Sequence, residues 1–213
     1  MSYLERIKPQ HLDILKELGN IGAGHAATAL SRLLNKAIDM TVPSVQVVPF
    51  SEISSYVGGE DAVVAAVMLR IEGDAPGNMF FMLPVTEASR LIQLLTGDST
   101  VDFLSEEVND MGFSALNEMG NILAGSYLAA FSDFTSLNLQ PSPPALAIDM
   151  PMAILSYGLL ELSMVGEAAI FIDTQINEKD ALQTEQTKGH FFLLPDPDSF
   201  EIILNSLGVT IDE

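Results

Sequence analysis

Cysteine is absent from the 213 residues, and lysine and arginine together number nine against 29 aspartates and glutamates. Without cysteine there is no disulfide framework, no thiolate metal site and no cysteine nucleophile. The resulting net charge of −20 repels nucleic acid and anionic lipid within a Debye length, which argues against both as partners. His11, His25 and His190 are widely spaced and form no ligand-like pattern, so no metal is expected. No apolar run approaches the ~20 residues that span a bilayer. The first nine residues carry no apolar core of a secretory signal. A cytoplasmic protein without membrane insertion is expected. What remains is globular: 48% hydrophobic and 18% charged residues lie far from a disordered composition.

The most informative feature is a stretch written twice. Asp13, Glu17, Gly19, Asn20, Ile21, Ala23 and Gly24 recur, displaced by 101 residues, as Ser114, Glu118, Gly120, Asn121, Ile122, Ala124 and Gly125. After each Asn, 22 residues intervene before a proline, Pro43 and Pro144. Both stretches have the apolar spacing of a helix, from about residue 10 to 35 and from near Ser105 to about Phe131. Glycine inside a helix costs about 1 kcal/mol relative to alanine. Gly19, Gly22 and Gly24 therefore imply close approach of something to the backbone, either the protein's own sheet or another molecule. Gly19, Gly22 and Gly24 also superficially resemble a phosphate-binding loop, but no strand precedes them and they fall inside a helix.

Between and after the helices the pattern is extended. Met40–Pro49 reads as strand with Pro43 at an edge or start, and Ser51–Val57 as a short helical piece. Ala62–Ile71 and Gly77–Pro84 read as a hairpin across a Gly73–Gly77 turn. Thr86 is expected to cap a helix that Gly97 stops. In the second half, Pro141–Met152, Leu155–Val165, Ala168–Gln175 and Phe191–Pro195 read as extended, before a last helix, Pro197–Leu207. Phe80–Pro84 resembles Phe191–Pro195 at an offset of 111, so ten extra residues are placed near 177–189, in a polar hairpin extension. The fold expected is α+β. It is a pseudo-twofold duplicated unit within a single domain, 1–213, of two repeats, about 10–100 and 106–210, sharing one antiparallel sheet with two long motif helices exposed on it.

At 3.6 residues per turn, Asp13, Glu17 and Asn20 fall within about 60° of one another, as do Ser114, Glu118 and Asn121. Each helix should bury its apolar stripe and expose a ridge of carboxylate and amide. Such residues commonly just populate the wet side of a helix, yet Asn is a poor interior helix residue and packing gives no reason to repeat Glu-x-x-Asn. Without a metal, a nucleophile or a His, the pair does not make an ordinary hydrolase. An amide can nonetheless hold a water by accepting one hydrogen bond and donating another. Orienting a water suffices where the substrate is already reactive.

The pattern Asp/Ser-x-x-x-Glu-x-x-Asn with its later proline, present twice, resembles the CheC branch of the CheC/CheX/FliY phosphatases. That resemblance implies hydrolysis of the aspartyl phosphate of the response regulator CheY. It implies that Asn20 and Asn121 orient the water, that Glu17 and Glu118 pair with the regulator's lysine, and that Asp13 and Ser114 assist docking. Pro43 and Pro144, with Gly19, Gly24, Gly120 and Gly125, would be structural. The chain would need no cofactor of its own, the Mg²⁺ belonging to the partner. The copies differ nearby, at Gly22 against Leu123 and His25 against Ser126, which allows unequal activity without indicating its direction. The resemblance also raises a rival: a non-catalytic adaptor for the receptor deamidase CheD or a flagellar motor component, with the apolar last helix as the CheD contact.

Overall fold

A computed structural model describes residues 7–105, 109–159, 168–178 and 187–208. The first repeat runs α1 (Pro9–Leu34), β1 (Ile38–Thr41), β2 (Val45–Pro49), α2 (Ile53–Tyr56), β3 (Val64–Gly73), β4 (Gly77–Pro84) and α3 (Val85–Thr96). The second runs α4 (Asp110–Thr135), β5 (Leu139–Pro141), β6 (Ala145–Asp149), α5 (Pro151–Leu159), β7 (Ala168–Glu178), β8 (Thr187–Pro195) and α6 (Pro197–Ser206). Among the described residues, eight strands join one antiparallel sheet with the path β1-β7-β8-β4-β3-β5, while β2 continues the edge beside β7 and β6 the edge beside β3. The two hairpins meet at the centre, β4 against β8.

The pairing is exchanged between the repeats. The broken edge strand of the first repeat, β1 and β2, lies on the second repeat's β7, and β5 and β6 lie on the first repeat's β3. Neither repeat thus completes its sheet from its own strands. One face of the sheet carries α1, α3, α4 and α6, whose Leu15, Leu18, Leu30, Leu91, Leu116, Leu123 and Phe200 join the main core with Phe81 and Phe191. The other face carries a smaller core of Phe80, Phe171 and Phe192 under Ile53 of α2 and Ile154 of α5.

Several boundaries differ from the sequence expectation. The 111-residue match sets Phe80 against Phe191, yet Phe80 faces the small core and Phe191 the large one. Because side chains alternate along a strand, the matched strings are out of phase by one residue. Residues 151–159 form a helix, not strand, with Pro151 in its first turn. An apolar run that short does not distinguish the two by periodicity, and proline at a helix start is favourable. The rest of the strand expected to Val165 lies outside the described residues, as does most of the expected hairpin extension. Thr86 does not cap: α3 begins at Val85 directly after Pro84. For α4, Ser105 is in a turn, its N–H donating to the Asp102 carbonyl. The cap is Asn109, whose Oδ1 accepts from the Gly112 N–H at 2.8 Å. Gly97 and Gly208 end α3 and α6 with φ of 74° and 80°, the left-handed conformation that favours glycine.

Candidate functional site

The motif glycines explain how the two long helices sit. A Cβ on Gly22 would stand 3.0 Å from the Tyr127 Cα, so Gly22 lets α1 and α4 touch. A Cβ on Gly19 would meet the Val42 methyls at 3.3 Å, and one on Gly120 would meet those of Val67 at 2.5 Å. α1 thus rests on the link between β1 and β2, whereas α4 presses on β3. In both helices the opposite side is open. Asp13, Glu17, Ser114, Glu118 and Asn121 are exposed, and neither glutamate makes an ion pair among the described residues.

The two asparagines do not share one environment. The Asn20 amide is half-buried and bound on both sides: Oδ1 accepts from the Val42 N–H at 3.0 Å, and Nδ2 donates to the Val42 carbonyl at 3.3 Å and the Lys16 carbonyl at 3.1 Å. Both amide hydrogens are thereby used. Eleven residues further along α1, Ser31 Oγ accepts from the Ile38 N–H at 2.9 Å and donates to the Ile38 carbonyl at 3.3 Å. Asn20 and Ser31 together satisfy the backbone groups of Ile38, at the start of the edge strand β1, and of Val42, just past its end, groups that would otherwise be free to pair with another chain.

On α4 this latch is missing. Asn121 is exposed and has no hydrogen-bond partner among the described residues, and the Ser132 hydroxyl, which occupies the place of Ser31, is buried without one. For Asn121, the missing donor is visible one residue before the motif proline. Val42 corresponds to Pro143 at the repeat offset, and proline has no N–H to give. Pro43 and Pro144 both stand between the two pieces of an edge strand, after β1 and after β5. The Asn-x22-Pro spacing therefore has a structural meaning in the first copy, where it brings the pre-proline backbone to the amide. Sequence reasoning missed this asymmetry, although residue 143 carried its signal.

The comparisons with known proteins agree with this architecture. A family model, the CheC-like family, matches residues 11–47 and 111–148, the two motif segments. Over 211 residues the chain is 47% identical to the CheY-P phosphatase CheC of Bacillus subtilis (strain 168), covering 99% of this chain and all of that one. The chain belongs to the CheC-like family. Among solved structures, Thermotoga maritima FliY superposes with a TM-score of 0.73 at 20% identity, over 95% of this chain and 98% of that one. A chain of the CheX–CheY–BeF3–Mg complex from Borrelia burgdorferi matches with a TM-score of 0.50 at 17% identity, over 82% of this chain and 96% of that one. Both structural likenesses concern the fold. The expected fold class, a duplicated unit on a shared antiparallel sheet, is that of this CheC-like chain.

Chemically, the exposed ridge of α4 offers a carboxylate, a hydroxyl and an unengaged amide, while the ridge of α1 offers two carboxylates beside an engaged amide. Among the described residues no group of three His, Asp or Glu is placed to hold a metal ion, and no helix is long and apolar enough to cross a membrane. Two other buried ionisable groups serve the fold. His190 faces Asp173 across β7 and β8 at 3.3 Å, and burial lowers its pKa despite that carboxylate. The Tyr127 hydroxyl, 3.2 Å from Thr174 Oγ1, is pushed up to about 12, again by burial.

Proposed function

We propose that this chain is a phosphatase acting on the aspartyl phosphate of a CheY-type receiver domain in the cytoplasm, and that its second motif carries the reaction. The observation that carries this is Asn121, exposed and unengaged three residues from Glu118, in a chain 47% identical to a CheY-P phosphatase. In the reaction, Asn121 Oδ1 accepts from a water O–H and Nδ2 donates to a second acceptor, holding the water oxygen in line with phosphorus. Water oxygen bonds to phosphorus as the bond to the aspartyl carboxylate breaks. The products are the free carboxylate and inorganic phosphate, which takes both water protons. Orientation of this kind supplies several kcal/mol where an amide positions the nucleophile. Glu118 pairs with the receiver's lysine and Ser114 assists docking. The Mg²⁺ is the partner's, and this chain contributes no metal ligand.

Asn20 would act in the same way only after leaving Val42, so the first motif works weakly or as a fold element. The strand exchange supports treating residues 1–213 as one unit built from two repeats. The test is the decay of phosphorylated receiver with stoichiometric protein. Acceleration that disappears in Asn121→Ala supports the assignment. Unaccelerated decay with the parent chain favours the adaptor for CheD or a motor component instead.

A further inference from the structure

Every glycine of α1 and α4 but two is accounted for by the protein itself. Gly19, Gly22, Gly112 and Gly120 each have a neighbour within 3.3 Å of the place a Cβ would take. Gly24 and Gly125 have nothing within 4 Å, and neither has a positive φ. Neither packing nor conformation calls for glycine at these two positions, where alanine makes a better helix. Gly125 stands one turn beyond Asn121. At 100° per residue it lies about 40° from Asn121 around α4, inside the arc that holds Ser114 and Glu118.

The other end of that arc is also unusual. Met111 lies about 80° from Asn121, and it is 66% exposed, more than any other large apolar side chain described. Leu104, 58% exposed, lies beside this first turn because Phe103 packs edge-on against Phe113. At the corresponding position α1 has Gln10. An apolar knob, a hydroxyl, a carboxylate, an amide and a bare stretch of backbone thus follow one another along about 21 Å of one helix face. The surface is convex, whereas small ligands take concave sites. A helix face laid into a groove of a partner fits this shape.

Resting on the phosphatase reading above, we propose that Gly125 and Met111, at the two ends of this face, set how closely the phosphorylated receiver docks on α4. The absent side chain at Gly125 lets the receiver's backbone come about 1.5 Å nearer, which brings its phosphoryl group to Asn121. Met111 anchors the far end in an apolar part of the receiver's groove. The occupant follows from continuity, because the same face carries Glu118 and Asn121.

Steady-state dephosphorylation by the full chain, with the receiver kept phosphorylated by acetyl phosphate, tests this. A side chain at Gly125 points into open space, so the variants fold. Gly125→Ala should raise Tm by about 2 °C. Gly125→Leu should raise KM for the receiver about tenfold, and Met111→Gln should raise it severalfold. Gly24→Leu, the same change on α1, should leave KM alone. Were KM in Gly125→Leu within about twofold of the parent value, the close-approach role would be refuted. An unchanged KM in Met111→Gln would remove the anchor. A parent chain that does not accelerate decay contradicts the phosphatase reading itself, which the variants do not test.

Discussion

Replacing each asparagine by alanine should separate folding from chemistry. Asn20→Ala removes three hydrogen bonds and leaves the Val42 N–H and carbonyl without their helix partner, at a residue only 1% exposed. Leaving a buried backbone group unsatisfied costs about 1–3 kcal/mol. The better helix propensity of alanine returns about 0.5 kcal/mol. The net loss is then about 0.5–2.5 kcal/mol, or roughly 4 °C in Tm at its midpoint for a chain of this length. Asn121→Ala gives up no hydrogen bond to a described residue, so only the propensity gain remains, and Tm should hold or rise by about 1 °C. Denaturant titration followed by circular dichroism, run beside the thermal melts, reads both values with the slope as a check on two-state behaviour. Equal stability losses in the two variants, or none in Asn20→Ala, would refute the latch between α1 and its edge strand.

Restoring the missing donor should reproduce the latch in the second repeat: Pro143→Val is expected to slow dephosphorylation severalfold by engaging Asn121, read in the same decay assay. Gly120→Ala should destabilise the chain by about 1–3 kcal/mol through overpacking, because the new methyl would meet the Val67 methyls at 2.5 Å. Gly19→Ala, with 3.3 Å to Val42, should cost less, and denaturant midpoints compare the two. Burial holds His190 below its ordinary value of 6.5. The unfolded chain therefore binds the proton first as pH falls, and stability present above 6.5 is lost below it. Melts between about pH 7 and pH 5 should show this slope, flattened in His190→Gln.

The repeat, the helices and the shared sheet were legible because the signals were local: doubled helical spacing around each Glu-x-x-Asn, a glycine stop at Gly97, and a turn at Gly73–Gly77. The strand exchange was not, since which strand lies beside β3 or β7 is decided by long-range packing and not by any residue within the strand. Residues 151–159 were misread because a short apolar run suits either a helix or a strand. The polar ridge was predicted from periodicity alone, and Glu17, Glu118 and Asn121 stand on it. Asn20 stands there too, but its amide turns back to Val42, a contact 22 residues away in sequence that helix geometry does not report. The one local hint was Pro143 in place of Val42, and its meaning depended on knowing that the amide seeks that N–H.

In the proposed reaction one amide, Asn121, orients the water. Single-turnover decay of phosphorylated receiver, with Asn20→Ala and Asn121→Ala compared at saturating protein, tests it most directly. The chain keeping Asn121 should retain most of the acceleration, and the chain keeping only Asn20 should lose at least about tenfold, near 1.4 kcal/mol of barrier. Full acceleration from the chain that keeps only Asn20 would contradict it.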